Sequence, residues 1–278
     1  MIIAAQRAAV LGAPVAHSLS PVLHGAAYRA LGLDDWAYEA IECDEACLPG
    51  LLDSLGPGWA GLSLTMPLKR AVLPLLDRVE PLVTEVGGAN TVVFGADGRS
   101  GYNTDVPGMI TALAEAGVTE APVTTLVLGA GATACAALGA LRAIGAQEAA
   151  VAVRDPATAG PLLAVADRTG MKIRLVRFGA EPAETEWQLL ISTVPAGAAD
   201  SYAERILART LIPAAVLDVV YHPWPTRLAS AAGQAGAVVV SGFELLLHQA
   251  ASQVKLMTGR EAPTAAMREA GRAALARR

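Results

Sequence analysis

Strand-like apolar runs alternate with helical stretches along the whole 278-residue chain, and this alternation constrains the fold more than any other feature. The runs AAVLG at 8–12 and WAYEAI at 36–41 flank a stretch in which Ser20 can cap a helix, Pro21 suits its first turn and Gly32 can end it. Strand, helix and strand in this order predict a βαβ unit. Repeated units of this kind are typical of α/β proteins with largely parallel sheets.

The other strand-like runs fall into two series. The first comprises WAGLSLT at 59–65, NTVVFG at 90–95 and a run leading into GYNTD at 101–105. The second comprises TTLVLGAG at 124–131, AAVAVR at 149–154, IRLV at 173–176, QLLIST at 188–193, AVLDVVY at 215–221 and AVVVSG at 237–242. Helices are predicted at 132–144, at 243–257 and from 263 to the end. The second series fills a doubly wound sheet, and the chain length suits two domains.

Composition excludes several classes of partner. Hydrophobic residues make up 53% of the chain and charged residues 17%, which predicts a globular protein with a sizeable core. The net charge of -5 gives no cationic field for phosphate backbones or anionic lipid, so we expect neither nucleic acid nor a membrane as partner. Three cysteines without a CxxC pair predict reduced thiols, a cytoplasmic location and no metal site.

A glycine-rich turn lies between the first strand and the first helix of the second series. Residues 129–134 read GAGATA, a G-x-G-x-x-A pattern. Glycine permits the tight turn and a close approach of the backbone to a pyrophosphate, and the helix N-terminus offers free N–H groups. In this setting the turn predicts a dinucleotide site formed by Gly129, Ala130, Gly131, Ala132 and Thr133, although such turns also merely connect elements.

The end of the next strand bears on the choice of cofactor. In NAD enzymes an acidic residue about 20 residues after the glycines accepts the ribose hydroxyls, but this strand ends in Arg154. A guanidinium there can pair with the 2′-phosphate of NADP, so we favour NADP. Asp155 follows at once and would suit the ribose of NAD instead. Arg154 would also fit as an ordinary surface charge.

Polar residues gather near the ends of the first-half strands. Ser18 and Ser20 are two apart, so an extended backbone would point both hydroxyls to one side, where they could bind a polyol or a carboxylate. Lys69 follows a sharp turn at Pro67, near the strand edge where α/β proteins bind ligands. Two Asn-Thr pairs, at 90–91 and 103–104, add to the cluster. Each feature alone fits turn chemistry or a solvated surface; their clustering favours a site.

These segments resemble the shikimate dehydrogenase family. SLSPVLH, SLTMPLK, GGANT, GYNTD, LGAGAT, STVP, DVVYHPWPT and GFELLLHQA are similar to its successive motifs, in its order and spacing, over residues 8–258. The resemblance implies reversible reduction of 3-dehydroshikimate to shikimate with NADPH, in chorismate biosynthesis. It also implies an N-terminal α/β substrate domain at 1–105, completed by about 243–278, a C-terminal doubly wound Rossmann domain at 106–242, and a reaction in the cleft between them.

The resemblance also implies roles for individual residues. Lys69 and Asp105 match the catalytic pair; the positions that match substrate contacts are Ser18, Ser20, Thr65, Asn90, Tyr221 and Gln249. The Gly242 backbone matches a position near the nicotinamide. Four positions depart from the family pattern. Ser63 stands in place of asparagine, Ala132 in place of a glycine, and Val153 and Asp155 in place of the asparagine and threonine on either side of the cofactor-binding arginine.

We expect Lys69 to donate the proton that reduction requires, with Asp105 holding lysine and substrate in register. One rival interpretation is an NAD-dependent quinate/shikimate dehydrogenase, which Asp155 would suit. A rival of another class is a non-catalytic NADP-binding sensor, which the presence of both Lys69 and Asp105 disfavours. The sequence leaves open whether the protein is a monomer or a homodimer.

Overall fold

A computed structural model describes residues 6–120, 122–180 and 186–278 of the chain. The chain divides into two compact units. The N-terminal unit comprises the residues up to Thr84, Gly88–Asp105 and Leu246–Arg278, and the central unit comprises Glu85–Gly87 and Val106–Leu245. Compared with the bounds expected from the sequence, the last segment begins at 246 instead of 243 and residues 85–87 join the central unit.

The sheet of the N-terminal unit has six strands in the order β2-β1-β3-β5-β6-β4. They are β1 (Gln6–Gly12), β2 (Trp36–Glu42), β3 (Trp59–Leu64), β4 (Arg78–Val79), β5 (Thr91–Gly95) and β6 (Gly98–Tyr102). β1 pairs in parallel with β2 and β3, whereas β5 is antiparallel to both β3 and β6. β4 also pairs in parallel with β6, so among the described strands of this sheet β5 runs opposite to the other five and the sheet is largely parallel, as expected. β5 and β6 are joined by a hairpin with a two-residue loop, Ala96-Asp97, which reverses the chain directly into β6.

Helices flank this sheet. They are α1 (Ser20–Ala30), α2 (Leu48–Ser54), α3 (Leu68–Ala71), α4 (Pro81–Val86), which runs into the central unit, and the C-terminal α11 (Thr264–Leu275). Leu11, Leu62 and Leu64 of the sheet form one core cluster with Leu48 and Leu52 of α2. This packing fixes the carboxyl ends of β1 and β3, which lead into the loops that carry the candidate site.

The central unit contains the second sheet, in the order β12-β11-β10-β7-β8-β9 with every pair parallel. Its strands are β7 (Thr125–Leu128), β8 (Glu148–Val153), β9 (Lys172–Arg177), β10 (Glu186–Ser192), β11 (Ile212–Asp218) and β12 (Val238–Ser241). Sequential strands run outward in both directions from β7, so β7 and β10 mark the point where the order reverses. This is a doubly wound Rossmann sheet, as the sequence predicted.

The helices of the central unit are α5 (Asp105–Glu115), α6 (Ala132–Ala143), α7 (Gly160–Thr169), α8 (Asp200–Leu207) and α9 (Arg227–Gln234), and α10 (Gly242–Thr258) begins here and continues into the N-terminal unit. Leu128 and Leu190 of the sheet pack with Tyr202 and Ile206 of α8 in one core cluster. Among the residues that the structure describes, no helix is long and apolar enough to span a membrane.

Several strands end earlier than predicted, and two of these ends bear on the candidate site. β8 ends at Val153, so Arg154 follows the strand, and β11 ends at Asp218 instead of Tyr221. At β11 the reason is local: the Val220 N–H donates to Oδ1 of Asp218 at 3.2 Å, and Val219 donates to the Ser192 carbonyl at 3.0 Å. The backbone after Asp218 therefore leaves the ladder that β11 forms with β12.

Candidate functional site

An ion pair between Lys69 and Asp105 is the most chemically active feature of the N-terminal unit. Lys69 lies on α3 and Asp105 is the first residue of α5, and Nζ lies 2.5 Å from Oδ2. The exposed fractions of these side chains are 14% and 9%, so the pair is largely withdrawn from water yet still accessible. The sequence placed both residues in one site, and the structure brings them into contact.

Asn90 holds the other oxygen of that carboxylate. Its Nδ2 donates to Oδ1 of Asp105 at 2.9 Å and lies 3.3 Å from Oε1 of Gln249 and 2.9 Å from Oγ1 of Thr104. Its Oδ1 accepts from the Thr104 N–H at 2.8 Å and from the Thr91 hydroxyl at 3.0 Å. Asn90 is 1% exposed. Three of the predicted residues, Asn90, Asp105 and Gln249, thus share one hydrogen-bonded cluster with Lys69.

Asn103 connects the loops around this cluster. Its Nδ2 donates to the Gly88 carbonyl at 2.7 Å, and its Oδ1 accepts from the Asp105 N–H at 3.1 Å. The second contact satisfies a backbone donor in the first turn of α5, where no helical partner exists. Asn103 therefore fixes the point at which Asp105 enters its helix.

The structure changes the interpretation of Ser18 and Ser20. Leu19 between them has φ -89° and ψ -5°, a helical conformation, so the backbone is not extended as expected. Ser20 was expected to cap α1 but is its first residue, and its side chain makes no capping bond. Instead the Ser18 Oγ accepts from the Ser20 N–H at 3.2 Å. The Ser18 oxygen therefore serves the helix start while its hydroxyl hydrogen stays available to a ligand.

Thr65 occupies a position that depends on a glycine. A Cβ on Gly12 would lie 2.3 Å from Cγ2 of Thr65, so only glycine lets the ends of β1 and β3 approach this closely. Thr65 is partly exposed, and its hydroxyl makes no hydrogen bond to the residues that the structure describes. It is free to meet a ligand at the same end of the sheet as Lys69.

The glycine turn of the central unit has the geometry that a dinucleotide site requires. Gly129 has φ +114°, and a Cβ there would lie 2.6 Å from Oγ1 of Thr193. Both the backbone conformation and the lack of space therefore require glycine at this position. A Cβ on Gly131 would meet nothing within 4 Å, so the side of this residue that lacks a side chain is open. Ala132, which replaces a glycine of the family pattern, begins α6 with an ordinary helical backbone.

The first turn of α6 suits an anion. Gly131 is its N-cap and has no side chain with which to cap the free N–H groups, and the first turn carries no acidic residue. Those N–H groups and the positive end of the helix dipole favour a phosphate. Ala130 and Thr133 are partly exposed on either side of Gly131. The residues present therefore fit the pyrophosphate of a dinucleotide.

Arg154 and Asp155 follow β8, and both are exposed. Arg154 makes no hydrogen bond or ion pair within the part of the chain that the structure describes. Asp155 is already engaged: its Oδ1 accepts from the Ala157 N–H at 2.9 Å and caps a short 3₁₀ turn, Pro156–Thr158. The guanidinium is thus unoccupied, whereas one carboxylate oxygen has a structural partner.

Gly242 and Tyr221 lie beyond the ends of β12 and β11. A Cβ on Gly242 would lie 2.0 Å from the carbonyl oxygen of Val219, so glycine is required there for packing. Tyr221 is half-buried. The nearby Asp218 is 2% exposed, and burial raises its pKa, although hydrogen bonds from Thr226 at 2.7 Å and Val220 at 3.2 Å oppose this.

Known proteins share this chain's sequence and fold over nearly its whole length. A shikimate dehydrogenase (NADP(+)) from Thermus thermophilus is 39% identical over 274 residues, which cover 97% of this chain and 98% of the relative. The crystal structure of Mycobacterium tuberculosis shikimate dehydrogenase is 43% identical, with a TM-score of 0.86, and covers 97% of this chain and 99% of that one. The chain belongs to the shikimate dehydrogenase family.

Two further findings refine this. Family models match at residues 10–92, as the shikimate dehydrogenase substrate binding domain, and at 242–270, as the shikimate 5'-dehydrogenase C-terminal domain. A quinate dehydrogenase from Corynebacterium glutamicum in complex with NAD has a TM-score of 0.84 at 29% identity, and covers 97% of this chain and 99% of that one. The family resemblance predicted from the motifs is confirmed.

The motifs assigned no role to three residues next to this site, although Ser63 was recognised as a departure from the family pattern. Ser63 and Gln253 are buried beside Asn90, and Tyr38 donates to Ser63 at 2.6 Å. Spacing contains a signal for two of them: Ser63 precedes Thr65 by two positions along β3, and Gln253 follows Gln249 by one helical turn. Tyr38, which lies on β2, had no such signal.

Proposed function

We propose that this protein is a shikimate dehydrogenase that reduces the ketone of 3-dehydroshikimate to shikimate with NADPH, reversibly, in chorismate biosynthesis. The Lys69–Asp105 pair, held by Asn90 in a mostly buried but accessible position, carries the proposal. Family membership over nearly the whole chain supports the substrate and the cofactor.

Lys69 supplies the proton in this mechanism. When bound, NADPH supplies the hydride for the ketone carbon. The ammonium of Lys69, held by Oδ2 of Asp105, can donate to the developing alkoxide. In the reverse direction Lys69 must be neutral to accept the proton from the shikimate hydroxyl.

Asp105 and its neighbours orient the substrate. Asp105 holds the Lys69 ammonium through Oδ2, and Asn90 holds the carboxylate through Oδ1, so the pair presents one geometry to the ring. We assign ring hydroxyl contacts to Thr65, Asn90, Asp105 and Gln249. We assign the substrate carboxylate to Ser18, Ser20 and Tyr221; the hydroxyl hydrogen of Ser18 remains available for this contact because its oxygen accepts from the Ser20 N–H.

The cofactor is assigned to the central unit. The backbone of the turn from Gly129 to Thr133 would hold the pyrophosphate, and the unoccupied Arg154 would pair with the 2′-phosphate of NADP. Asp155 would lie beside the same group, and the Gly242 backbone is assigned to the nicotinamide end. This division makes the N-terminal unit the substrate-binding domain and the central unit the cofactor-binding domain.

Replacement of Lys69 tests the proposal. Lys69→Ala is expected to lower kcat for shikimate oxidation by about 10² to 10⁴ while KM changes by only a few-fold, because proton transfer is needed in the transition state alone. Lys172→Ala is the matched control, since Lys172 is an exposed lysine on β9 in the central unit. A kcat for Lys69→Ala close to that of the control would contradict the assignment.

One second candidate has an observation in its favour. Asp155 would suit the ribose hydroxyls of NAD, and a quinate dehydrogenase with NAD shares the fold. Assays with shikimate and quinate, each with NADP and NAD, separate an NAD-dependent quinate/shikimate dehydrogenase from the function proposed here. Turnover with none of these pairs would instead favour a non-catalytic NADP-binding sensor.

The last part of the proposal concerns cellular location, oligomeric state and partners. We propose a cytoplasmic protein, monomeric or homodimeric, whose partners are its substrate and cofactor, without nucleic acid or membrane. The net charge of -5 supports the exclusion of nucleic acid and anionic lipid. Sedimentation at several protein concentrations would distinguish monomer from dimer.

A further inference from the structure

Three buried or partly buried side chains, Tyr38, Ser63 and Gln253, form a hydrogen-bonded chain that reaches Asn90 and has no part in the mechanism proposed above. The Tyr38 hydroxyl donates to Oγ of Ser63 at 2.6 Å, and the Ser63 hydroxyl donates to Oε1 of Gln253 at 2.7 Å. Nε2 of Gln253 donates to the Asn90 carbonyl at 3.2 Å and to the Thr91 hydroxyl at 2.9 Å. All of these residues belong to the N-terminal unit.

The direction of each hydrogen bond near Asn90 is fixed by the backbone. The Thr104 N–H can only donate, so the side-chain atom of Asn90 that it meets at 2.8 Å must be Oδ1. Nδ2 then faces Asp105. Because Oδ1 can only accept, the Thr91 hydroxyl must donate to it. The amide that holds the catalytic carboxylate therefore has one permitted orientation.

The same argument extends to Gln253. The Asn90 carbonyl can only accept, so the end of the Gln253 amide that faces it must be Nε2. Oε1 then faces Ser63, whose hydroxyl must donate to it, and this leaves the Ser63 oxygen to accept from Tyr38. The polarity of the whole chain from Tyr38 to Asp105 is thus determined.

Because these side chains are buried, the loss of one of their hydrogen bonds costs free energy that water cannot restore. Gln253 is 1% exposed and Ser63 is 4% exposed, so no bulk water replaces a lost partner. Tyr38 is partly buried, and its ring is stacked on His24 with 3.9 Å between centroids, which fixes the first donor of the chain. Without Nε2 of Gln253, the Thr91 hydroxyl would be free to turn to another acceptor and leave Oδ1 of Asn90.

We propose that Gln253 is a positioning residue for the Lys69–Asp105 pair: it acts through Thr91 and Asn90, and Ser63 and Tyr38 determine which end of its amide faces them. The inference rests on the catalytic roles proposed above for Lys69 and Asp105. Gln253 affects kcat more than substrate affinity, because it supports Asn90, which holds Asp105 against Lys69. Gln253 does not itself contact the substrate.

Four single substitutions test this in the full-length protein, by steady-state oxidation of shikimate with NADP and by thermal unfolding. Gln253→Met keeps the length of the side chain and removes its hydrogen bonds; we expect kcat to fall about tenfold with both KM values within about threefold of wild type. Ser63→Ala should lower kcat about threefold, and Tyr38→Phe about twofold or less. Ser252→Ala, on the same helix but bonded to the His248 carbonyl, is the matched control and should match wild type.

The pattern of losses separates positioning from simple support of the fold. The kcat loss should follow the order of the chain, Gln253 before Ser63 before Tyr38, whatever the order of the melting temperatures. Because Ser63 acts through Gln253, the double variant Ser63→Ala/Gln253→Met should lose no more kcat than Gln253→Met alone.

Several outcomes would overturn the inference. These are a Gln253→Met protein with kcat within twofold of wild type, multiplicative losses in the double variant, or a loss that appears equally in kcat, both KM values and the folded fraction. If Gln253→Met does not fold, a Ser63→Ala protein with unchanged kcat refutes the proposal. Loss of activity in Lys69→Ala alongside wild-type kcat in Gln253→Met would reject this inference and leave the proposed function intact.

Discussion

His24 illustrates how one buried residue couples the stability of the N-terminal unit to pH. It is 0% exposed, its Nδ1 lies 3.0 Å from the Ser20 carbonyl, and its ring stacks on Tyr38. Nδ1 must carry the hydrogen to donate to that carbonyl, and Nε2 has no hydrogen-bonding partner among the described residues. A second proton would place a charge and an unpaired donor in the core, so burial lowers the pKa of His24 from 6.5 to about 4.

The free energy of unfolding should therefore fall as the pH drops from about 6.5 toward 4. In this range His24 binds a proton in the unfolded chain but not in the folded chain. Its contribution to the free energy of unfolding is therefore fully present above the unfolded pKa and decreases as the pH falls below it. The shift in pKa corresponds to about 3 kcal/mol. His24→Phe keeps a stacked ring without titration, and urea unfolding at several pH values should show a shallower decline for this variant. Equal declines in both proteins would contradict the shift.

At the scale of elements, Arg154 and Asp155 at the end of β8 favour different cofactors, NADP and NAD. A guanidinium fork on a phosphate dianion is worth roughly 1.5 to 3 kcal/mol. The repulsion of a carboxylate beside the same phosphate in water at 4 Å is about 1 kcal/mol and weakens with salt. Asp155 also has one oxygen on the Ala157 N–H. Arg154 is therefore expected to prevail, which gives a preference for NADP.

Two substitutions measure these opposing effects through kcat/KM for NADP and NAD with shikimate. Arg154→Ala should reduce kcat/KM for NADP by about 10- to 150-fold and affect NAD much less. Asp155→Asn keeps an oxygen for the Ala157 N–H while it removes the charge, so the preference for NADP should rise about fivefold. A wild-type preference for NAD that Asp155→Asn abolishes would show instead that Asp155 binds the ribose.

Sequence patterns predicted the elements better than the connections between them. The six parallel strands of the central unit followed from apolar runs separated by helices, because burial on both faces leaves a continuous apolar signal. The hairpin between β5 and β6 was missed because Gly98–Ser100 carry no apolar run. The helical Leu19 between Ser18 and Ser20 was missed for a related reason: its conformation follows from how the chain enters α1, and spacing alone does not contain that information.

For the site, the motifs identified the residues of the hydrogen-bonded cluster around Asp105 but not the residues that support Asn90 from behind. Lys69, Asp105, Asn90 and Gln249 were predicted and lie together. Gln253 reaches Asn90 across 163 positions of sequence, a contact that exists only when the last part of α10 returns to the first sheet. The one-turn spacing from Gln249 places Gln253 on the same helix face, but the local sequence does not show which strand that face meets.

At the scale of the whole molecule, the same return completes the N-terminal unit. Its residues come from three separate segments of chain, and the last begins at Leu246. α11 packs against α1, with Met267 and Ala274 buried, and Nη1 of Arg278 donates to the His17 carbonyl at 2.6 Å, one residue before Ser18. The start of α1, which carries the proposed carboxylate contacts, is thus supported by the end of the chain.

Removal of residues 260–278 should therefore weaken the N-terminal unit selectively. Each of the apolar side chains that α11 buries contributes about 1 to 3 kcal/mol, and the midpoint of thermal unfolding should fall by about 10 °C. A ligand that binds the folded state raises this midpoint, and the rise grows with the logarithm of the ratio of ligand concentration to Kd. Shikimate should lose its stabilising effect on the truncated protein, because its proposed contacts lie beside α1, whereas NADP should still stabilise the central unit. The measurement is thermal unfolding with each ligand alone.

Full-length Arg278→Ala is the control that separates the terminal hydrogen bond from the helix, and it should respond to both ligands. Equal loss of the two ligand effects on truncation would mean that the chain's end supports both units, and an undiminished effect of shikimate would place its binding away from the start of α1.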